Sequence, residues 1–265
     1  MQGDSALGRA LTLVRDLRAR CAWDRVQTPQ TLRPYFVEEA LELDQALRAD
    51  DPDELRDELG DLLLHLAFQI VIAEEQGHFD TEAVVRGIEH KMWRRHPHLF
   101  SGGKKPDSWE LGKRERGMGK GGILSGLPPT LPPLLMAYRL QERAAGVGFD
   151  WADASGPLEK VKEELTELER ETGEGRQEAL EDEIGDLLFA VVNLSRKLAI
   201  EPSQALEQAN DKFQRRFEAM EALAEERGVQ IGRASLEELD RLWDETKATE
   251  RRKDGTESKG DGRTE

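Results

Sequence analysis

Five acids in the C-terminal half of the chain are spaced for cation chemistry. Glu163, Glu164 and Glu167 form one E-E-x-x-E, and Glu183 and Asp186 form an E-x-x-D further on. Residues three or four apart share one face of a helix. Glu164 thus lies over Glu167, and Glu183 over Asp186. If their two helices are antiparallel neighbours, four carboxylates converge, with Gly185 expected to leave room for close approach. Carboxylates gathered without a counter-charge repel one another. A hard divalent cation removes that cost: magnesium, or manganese in its place, prefers oxygen donors.

A single E-E-x-x-E is most often a solvated helix face paired with Lys or Arg. Here the pattern is written twice. Glu38, Glu39, Glu42, Glu58 and Asp61 precede the second set by a constant 125 positions, in the segments VEEALEL/KEELTEL and ELGDLL/EIGDLL. Solvated glutamates have no reason to keep that separation. Asp61 and Asp186 each precede an apolar run, which places them at the rim of a core, where a carboxylate needs a partner. Glu39, Glu42, Glu58 and Asp61 therefore offer a second metal site. A redox di-iron site, built from Glu-x-x-His on bundle helices, is the main rival. All five histidines (65, 78, 90, 96 and 98) fall in the first copy. The second copy offers oxygen ligands alone, which favours magnesium. Glu75-x-x-His78 has the spacing but is interrupted by Gly77 at an expected helix end, and His96-Pro97-His98 reads as a structural turn.

The elements that must hold these acids are helices. Leu55, Leu59, Leu62, Leu63, Leu66, Ile70 and Ala73 recur at three- and four-residue steps across residues 53–73, the period of an amphipathic helix. Residues 158–171 and 178–199 behave alike. Pro52 and Pro202 follow acidic, cap-like residues where a helix begins. No long β-branched alternation occurs, so an all-α tandem repeat of helical bundles is expected. Further matches keep the same order: Trp23-Asp24 with Phe149-Asp150, the Lys91–Arg95 segment with Lys212–Arg216, and the Trp109–Lys113 segment with Trp243–Lys247. Duplication explains them. The expected layout is a first repeat over residues 1–100, a Gly- and Pro-rich linker over 101–133, a second repeat over 134–247 and a disordered tail over 248–265.

Composition narrows the partners. The 265-residue chain carries a net charge of −16, so nucleic acid, which needs a basic footprint, is not expected. Cys21 is the single cysteine, which fits a reducing, cytoplasmic setting. The sequence has neither a signal-peptide pattern nor an apolar run long enough to span a membrane. Gly117-x-Gly119-x-x-Gly122 imitates a dinucleotide loop in letters only, with no strand before it, and Gly119-Lys120-Gly121 is not a phosphate-binding P-loop.

With both acid motifs, C-A-W-D at 21–24, R-R-H-P-H-L-F at 94–100, V-G-F-D-W at 147–151 and K-F-Q-R-R-F at 212–217, the sequence resembles the MazG family of the all-α NTP pyrophosphatase superfamily, over about residues 5–250. The resemblance implies a tandem of helical modules, usually a homodimer. It implies magnesium-dependent cleavage of NTPs and dNTPs to the monophosphate and pyrophosphate, in house-cleaning or nucleotide-pool regulation. It places the active site in the second repeat, with Glu164, Glu167, Glu183 and Asp186 as metal ligands. Nucleotide contacts would come from Lys160, Asp182, Lys212, Phe213, Arg215, Arg216 and Trp243, the last by stacking on a base or as a packing residue. Of the acids nearest the ligands, Glu163 and Asp182, Glu163 is assigned as general base. Two departures stand out. Ala22 replaces a proline common in the family, and Tyr35 stands where the second repeat has Lys160, which points to an inactive or regulatory first repeat. The alternative is a catalytically silent nucleotide sensor or scaffold of the same fold.

Overall fold

Apolar side chains at helical spacing and proline-led caps give eleven helices among the described residues, and no strand. The computed structural model describes residues 5–49, 51–102 and 122–257. They form two compact units, divided between Lys105 and Pro106.

The first unit holds α1 (Ala6–Arg20), α2 (Ala22–Arg25), α3 (Pro29–Ala49), α4 (Pro52–Glu75), α5 (Thr81–Arg95) and α6 (Pro97–Phe100). Asp51 caps α4, accepting from the amides of Asp53 and Glu54 with Pro52 in the first turn, where its missing N–H costs nothing. Leu11 and Val14 of α1 meet Leu32 of α3 and Ala67, Phe68, Val71 and Ile72 of α4 in one core. Burial of each larger side chain contributes about 1.5–3 kcal/mol. The buried Arg18 ties this unit together. Its guanidinium binds Glu75 at 2.6–3.1 Å and donates to the Asp24 and Gln27 carbonyls. α4 ends at Glu75 and Gly77 turns left-handed (φ 68°), so Glu75 and His78 never share a helix face.

The stripe read from residues 53–73 is only partly the core stripe. Leu59 and Leu66 are exposed, and the buried face runs through Ala67, Phe68, Val71 and Ile72 instead. α4 is apolar on two faces, and α1 and α3 cover one of them.

The second unit holds α7 (Pro133–Ala145), α8 (Ser155–Glu174), α9 (Gln177–Lys197), α10 (Pro202–Glu226) and α11 (Leu236–Glu257). α8 and α9 pack along their length and are joined through Gly175 and Arg176. A link that short forces them antiparallel. Gly175 closes α8 in the left-handed region (φ 71°), its N–H on the Glu171 carbonyl, a conformation costly for a residue with a Cβ. Gly156 is required for a different reason: a Cβ there would lie 2.0 Å from the Trp151 indole. Asp150 accepts from Arg196 and Lys197, which holds the V-G-F-D-W segment on the end of α9. The Arg196 guanidinium, with Lys197, keeps the Asp150 carboxyl below its usual range. Met220, Ala224 and Leu242 centre a small core between α10 and α11.

Within the expected linker, the Ser125 carbonyl accepts from Arg143 of α7 at 2.5 Å. The segment around Trp109 and the Gly117/Gly119 pattern lie outside the described residues. α11 continues to Glu257, so the tail expected from Ala248 starts as helix. Among the described residues, no helix is long and apolar enough to cross a membrane.

Candidate functional site

The α8–α9 hairpin brings the second acid set together. Oxygens of Glu164, Glu183 and Asp186 lie within 4.8 Å of one another, and so do oxygens of Glu163, Glu164 and Glu167. Glu164 belongs to both groups and is 4% exposed. In the first unit the same construction on α3 and α4 gathers Glu39, Glu58 and Asp61 within 4.8 Å. Glu42 stays outside that trio, yet its charge acts on both Glu39 and Glu58.

The electrostatics show what crowding costs. Burial first, and then the charges of Glu167, Glu164, Asp186 and Glu171, push the Glu183 carboxyl above its usual range. Burial and neighbouring acids raise Glu39 and Glu58 in the same way. Burying a charged group among like charges favours its protonated form.

The two clusters differ in their surroundings. In the second unit Lys160 donates to Glu163 at 2.7 Å and approaches Glu164 to 2.6 Å. Those two carboxylates raise the Lys160 ammonium well above its ordinary value. In the first unit Tyr35 takes that position and leans edge-on against Trp23, with ring centroids 6.3 Å apart. Among the described residues, no Lys or Arg pairs with Glu39, Glu58 or Asp61.

Gly185 does not do what its position suggested. A Cβ at Gly185, or at its counterpart Gly60, would meet nothing within 4 Å. The hairpin therefore closes without needing either glycine, and both face open space.

The remaining expected contacts sit apart from the acids. Asp182 is exposed and belongs to neither acid group. Lys212 and Arg215 are exposed on α10, and Arg216 is paired with Glu250 of α11 at 2.5 Å. Phe213 stacks near Phe217 and lies 5.4 Å from Trp243, which packs on the α10–α11 core. A groove of about 680 Å³ between α10 and α11 is lined by Arg215, Arg216, Leu223, Thr246 and Glu250 among others, and by none of the clustered acids. The structure thus joins the acids with Lys160, and joins Phe213 with Trp243, without linking the two sets.

Two residues of the clusters were not anticipated from sequence. Glu171, one turn beyond Glu167 and 2% exposed, is held by Arg170 and Arg176 at 3.0 and 2.5 Å. Its i+4 spacing from Glu167 was the available signal. His65 is also buried, with Nε2 3.7 Å from Glu39, and burial pushes its imidazole below the ordinary value. Its signal was Asp61-x-x-x-His65 on one helix face.

A duplicated antiparallel hairpin carrying paired carboxylates is the arrangement the two motifs predicted, and comparison with known proteins agrees. Residues 27–100 and 156–220 match the MazG nucleotide pyrophosphohydrolase domain, once in each unit. The chain is 44% identical to the nucleoside triphosphate pyrophosphohydrolase/pyrophosphatase MazG of Thermotoga maritima, over 86% of this chain and 89% of that protein. It is 38% identical to the nucleoside triphosphate pyrophosphohydrolase of Escherichia coli K12, over 92% of this chain and 98% of that one. It is also 44% identical to YabN of Bacillus subtilis, an uncharacterized protein, over 91% of this chain and 51% of that protein. On two domain matches, near full-length likeness and a hairpin that gathers the same acids in both units, the chain belongs to the MazG family.

Proposed function

We propose that the protein is a magnesium-dependent nucleoside-triphosphate pyrophosphohydrolase, converting NTPs and dNTPs to the monophosphate and pyrophosphate in the second unit. The observation that carries this reading is Glu164, the buried carboxylate shared by both acid groups of the α8–α9 hairpin, with Lys160 beside it. The relatives named as pyrophosphohydrolases support the reaction class.

The donors fit a hard cation. They are all carboxylate oxygens gathered close to one another, and burial, followed by the neighbouring acids, raises the Glu183 carboxyl. Glu164, Glu167, Glu183 and Asp186 would hold magnesium, or manganese in its place. Bound there, the ion would neutralise the acids and polarise the phosphoryl oxygens of the triphosphate.

The chain's own residues then divide the work. Lys160 exchanges its pairing with Glu163 and Glu164 for the triphosphate. That exchange frees Glu163 to take a proton from the attacking water as its oxygen joins the α-phosphorus. The bond from the α-phosphorus to the bridging oxygen breaks, and pyrophosphate leaves with the electron pair. Lys212, Arg215 and Arg216 are assigned to the leaving group, arginine being suited to bidentate phosphate contact. Because they stand apart from the acids, α10 must close on the bound triphosphate for them to act. Phe213 and Trp243 offer ring faces to the base, a contact every base can make, and Asp182 contributes from beside Glu183. Arg216 must leave Glu250 to take part.

A homodimer belongs to the same reading. Leu165, Ile184, Leu188 and Phe189 are exposed on the two acid-bearing helices, and a second copy would cover them. The first repeat is assigned a metal-binding, regulatory role through Glu39, Glu42, Glu58 and Asp61, and the setting is the cytoplasmic nucleotide pool.

The test is direct. The protein is incubated with magnesium and each NTP and dNTP, and products are separated. Monophosphate and pyrophosphate in equal amounts are expected. Orthophosphate alone overturns the reaction class, and nucleotide binding without turnover supports the silent sensor instead.

A further inference from the structure

Three features of the first unit are not used by the proposed reaction, and they converge on one place. Glu39, Glu58 and Asp61 form a tight oxygen cluster with no Lys or Arg paired to it among the described residues. One oxygen of Glu58, Oε2, is buried with no hydrogen-bond partner. His65 is 9% exposed, with Nδ1 also buried and without a partner. Its Nε2 stands 3.7 Å from a Glu39 oxygen, too far for a hydrogen bond. Glu58, Asp61 and His65 follow one another at steps of three and four residues on α4, so they share a face. Phe36 lies edge-on to the imidazole, with centroids 6.4 Å apart, and limits where the ring can turn.

The second unit lacks this combination. The counterpart of His65 at the offset of 125 is Ala190, and that of Tyr35 is Lys160. One cluster is all oxygen and carries its own cation. The other has no internal cation and has an imidazole at its edge.

We propose that Glu39, Glu58, Asp61 and His65 form a divalent-cation site that fills without nucleotide and prefers a nitrogen-accepting metal over magnesium. Carboxylates with an imidazole suit manganese, cobalt or zinc, whereas magnesium favours oxygen and water. The oxygens of Glu39, Glu58 and Asp61 lie within 4.8 Å of one another, and His65 Nε2 stands at the edge of that trio, 3.7 Å from Glu39, so the imidazole joins the ion from the Glu39 side. Glu39 is the hinge of the site: it belongs to the oxygen trio and also touches His65. The inference rests on the reading of the first repeat's acids as a metal site, and not on where nucleotide is cleaved.

The full-length protein, stripped with a chelator and free of nucleotide, is titrated with cobalt chloride and, separately, with magnesium chloride. Calorimetry gives the affinities, and the visible spectrum of cobalt reports nitrogen ligation. One nitrogen-ligated cobalt per chain is expected, bound more tightly than magnesium and distinguished by its spectrum from cobalt on the second unit's oxygens. Glu58→Gln abolishes it and Glu183→Gln does not. His65→Ala weakens cobalt by about 10–100-fold, in the range for losing a metal-orienting group, and leaves magnesium within a few-fold. His65→Gln, closer in volume, should repeat this if the alanine variant folds poorly. Equal losses for both metals would make His65 a packing residue and overturn the metal class. Cobalt binding that survives Glu58→Gln but not Glu183→Gln would place the site in the second unit and overturn the proposal. Absent turnover with intact cobalt binding would refute the pyrophosphohydrolase reading and leave this one standing.

Discussion

The two carboxylate clusters share their acids and differ in what surrounds them. On α8 and α9, Lys160 sits against Glu163 and Glu164, and the buried Glu171 one turn on is matched by Arg170 and Arg176. On α3 and α4 the equivalent positions are Tyr35 and Ala46, and the imidazole of His65 replaces Ala190. The hairpin that gathers carboxylates has been kept twice, while the counter-charge has been kept once. An ammonium beside a carboxylate can be traded for an incoming phosphate, but a phenol or an imidazole carries no such charge to give. The comparison teaches that the acids alone define a cation site, and that the residues one turn away decide what can follow the cation in.

Glu164 makes the largest difference. Glu164→Gln removes the carboxylate common to both groups of the second cluster, and turnover should fall by more than about 100-fold, beyond the 10–100-fold typical of a merely supporting residue. Glu39→Gln should cost far less. The reverse order, measured as kcat/KM for one NTP, would move the reaction into the first unit.

Lys160→Met comes next. A charge-assisted contact is worth about 1.5–3 kcal/mol, so kcat/KM should drop by about 10–100-fold. Magnesium affinity without nucleotide should rise, because no ammonium competes for Glu164. A loss of turnover with unchanged magnesium affinity would show that Lys160 acts on substrate alone.

The helical hairpins and the acids they gather were legible in the sequence because both follow from local spacing: three- and four-residue steps, proline at helix starts, and a repeat offset that ties distant segments together. What was not legible depended on tertiary packing. The stripe through Leu59 and Leu66 is as periodic as a core stripe, yet α1 and α3 cover the other apolar face of α4. Gly185 reads as a close-approach residue and faces open space. Lys160 reads as a free cation for phosphate and is committed to two glutamates. Whether a charge is free depends on its neighbours in space, which periodicity does not encode.

The pH dependence separates the clusters from ordinary surface acids. Glu39, Glu58 and Glu183 have carboxyls raised in the folded protein. In chelator, their contribution to stability is fully present below the usual carboxylate range and is lost as pH rises through the raised values. Divalent metal reverses this, because only the ionised acids bind it. The gain in Tm from saturating metal should therefore be small at pH 4.5 and grow towards pH 7. About 2.7 kcal/mol is expected at a hundredfold excess over Kd, or about 10–20 °C for the first unit and about 5–10 °C for the larger second unit. A gain that does not change with pH would mean the ion binds elsewhere.

Tyr35→Lys tests the comparison with the smallest effect. Residue 35 lies four positions before Glu39, as Lys160 lies four before Glu164. The new ammonium should reproduce the second unit's pairing and stabilise the chelated protein by about 0.3–1 kcal/mol, the range of a partly exposed ion pair. It should also weaken cobalt binding a few-fold, since lysine and metal would compete for Glu39. Thermal unfolding in chelator and a cobalt titration read the two effects separately. Stabilisation with unchanged cobalt affinity would mean that the lysine pairs with Glu38 on the outer surface of α3 and not with Glu39. In that case position 35 does not set the charge of the first cluster, and the difference between the repeats falls to His65 alone.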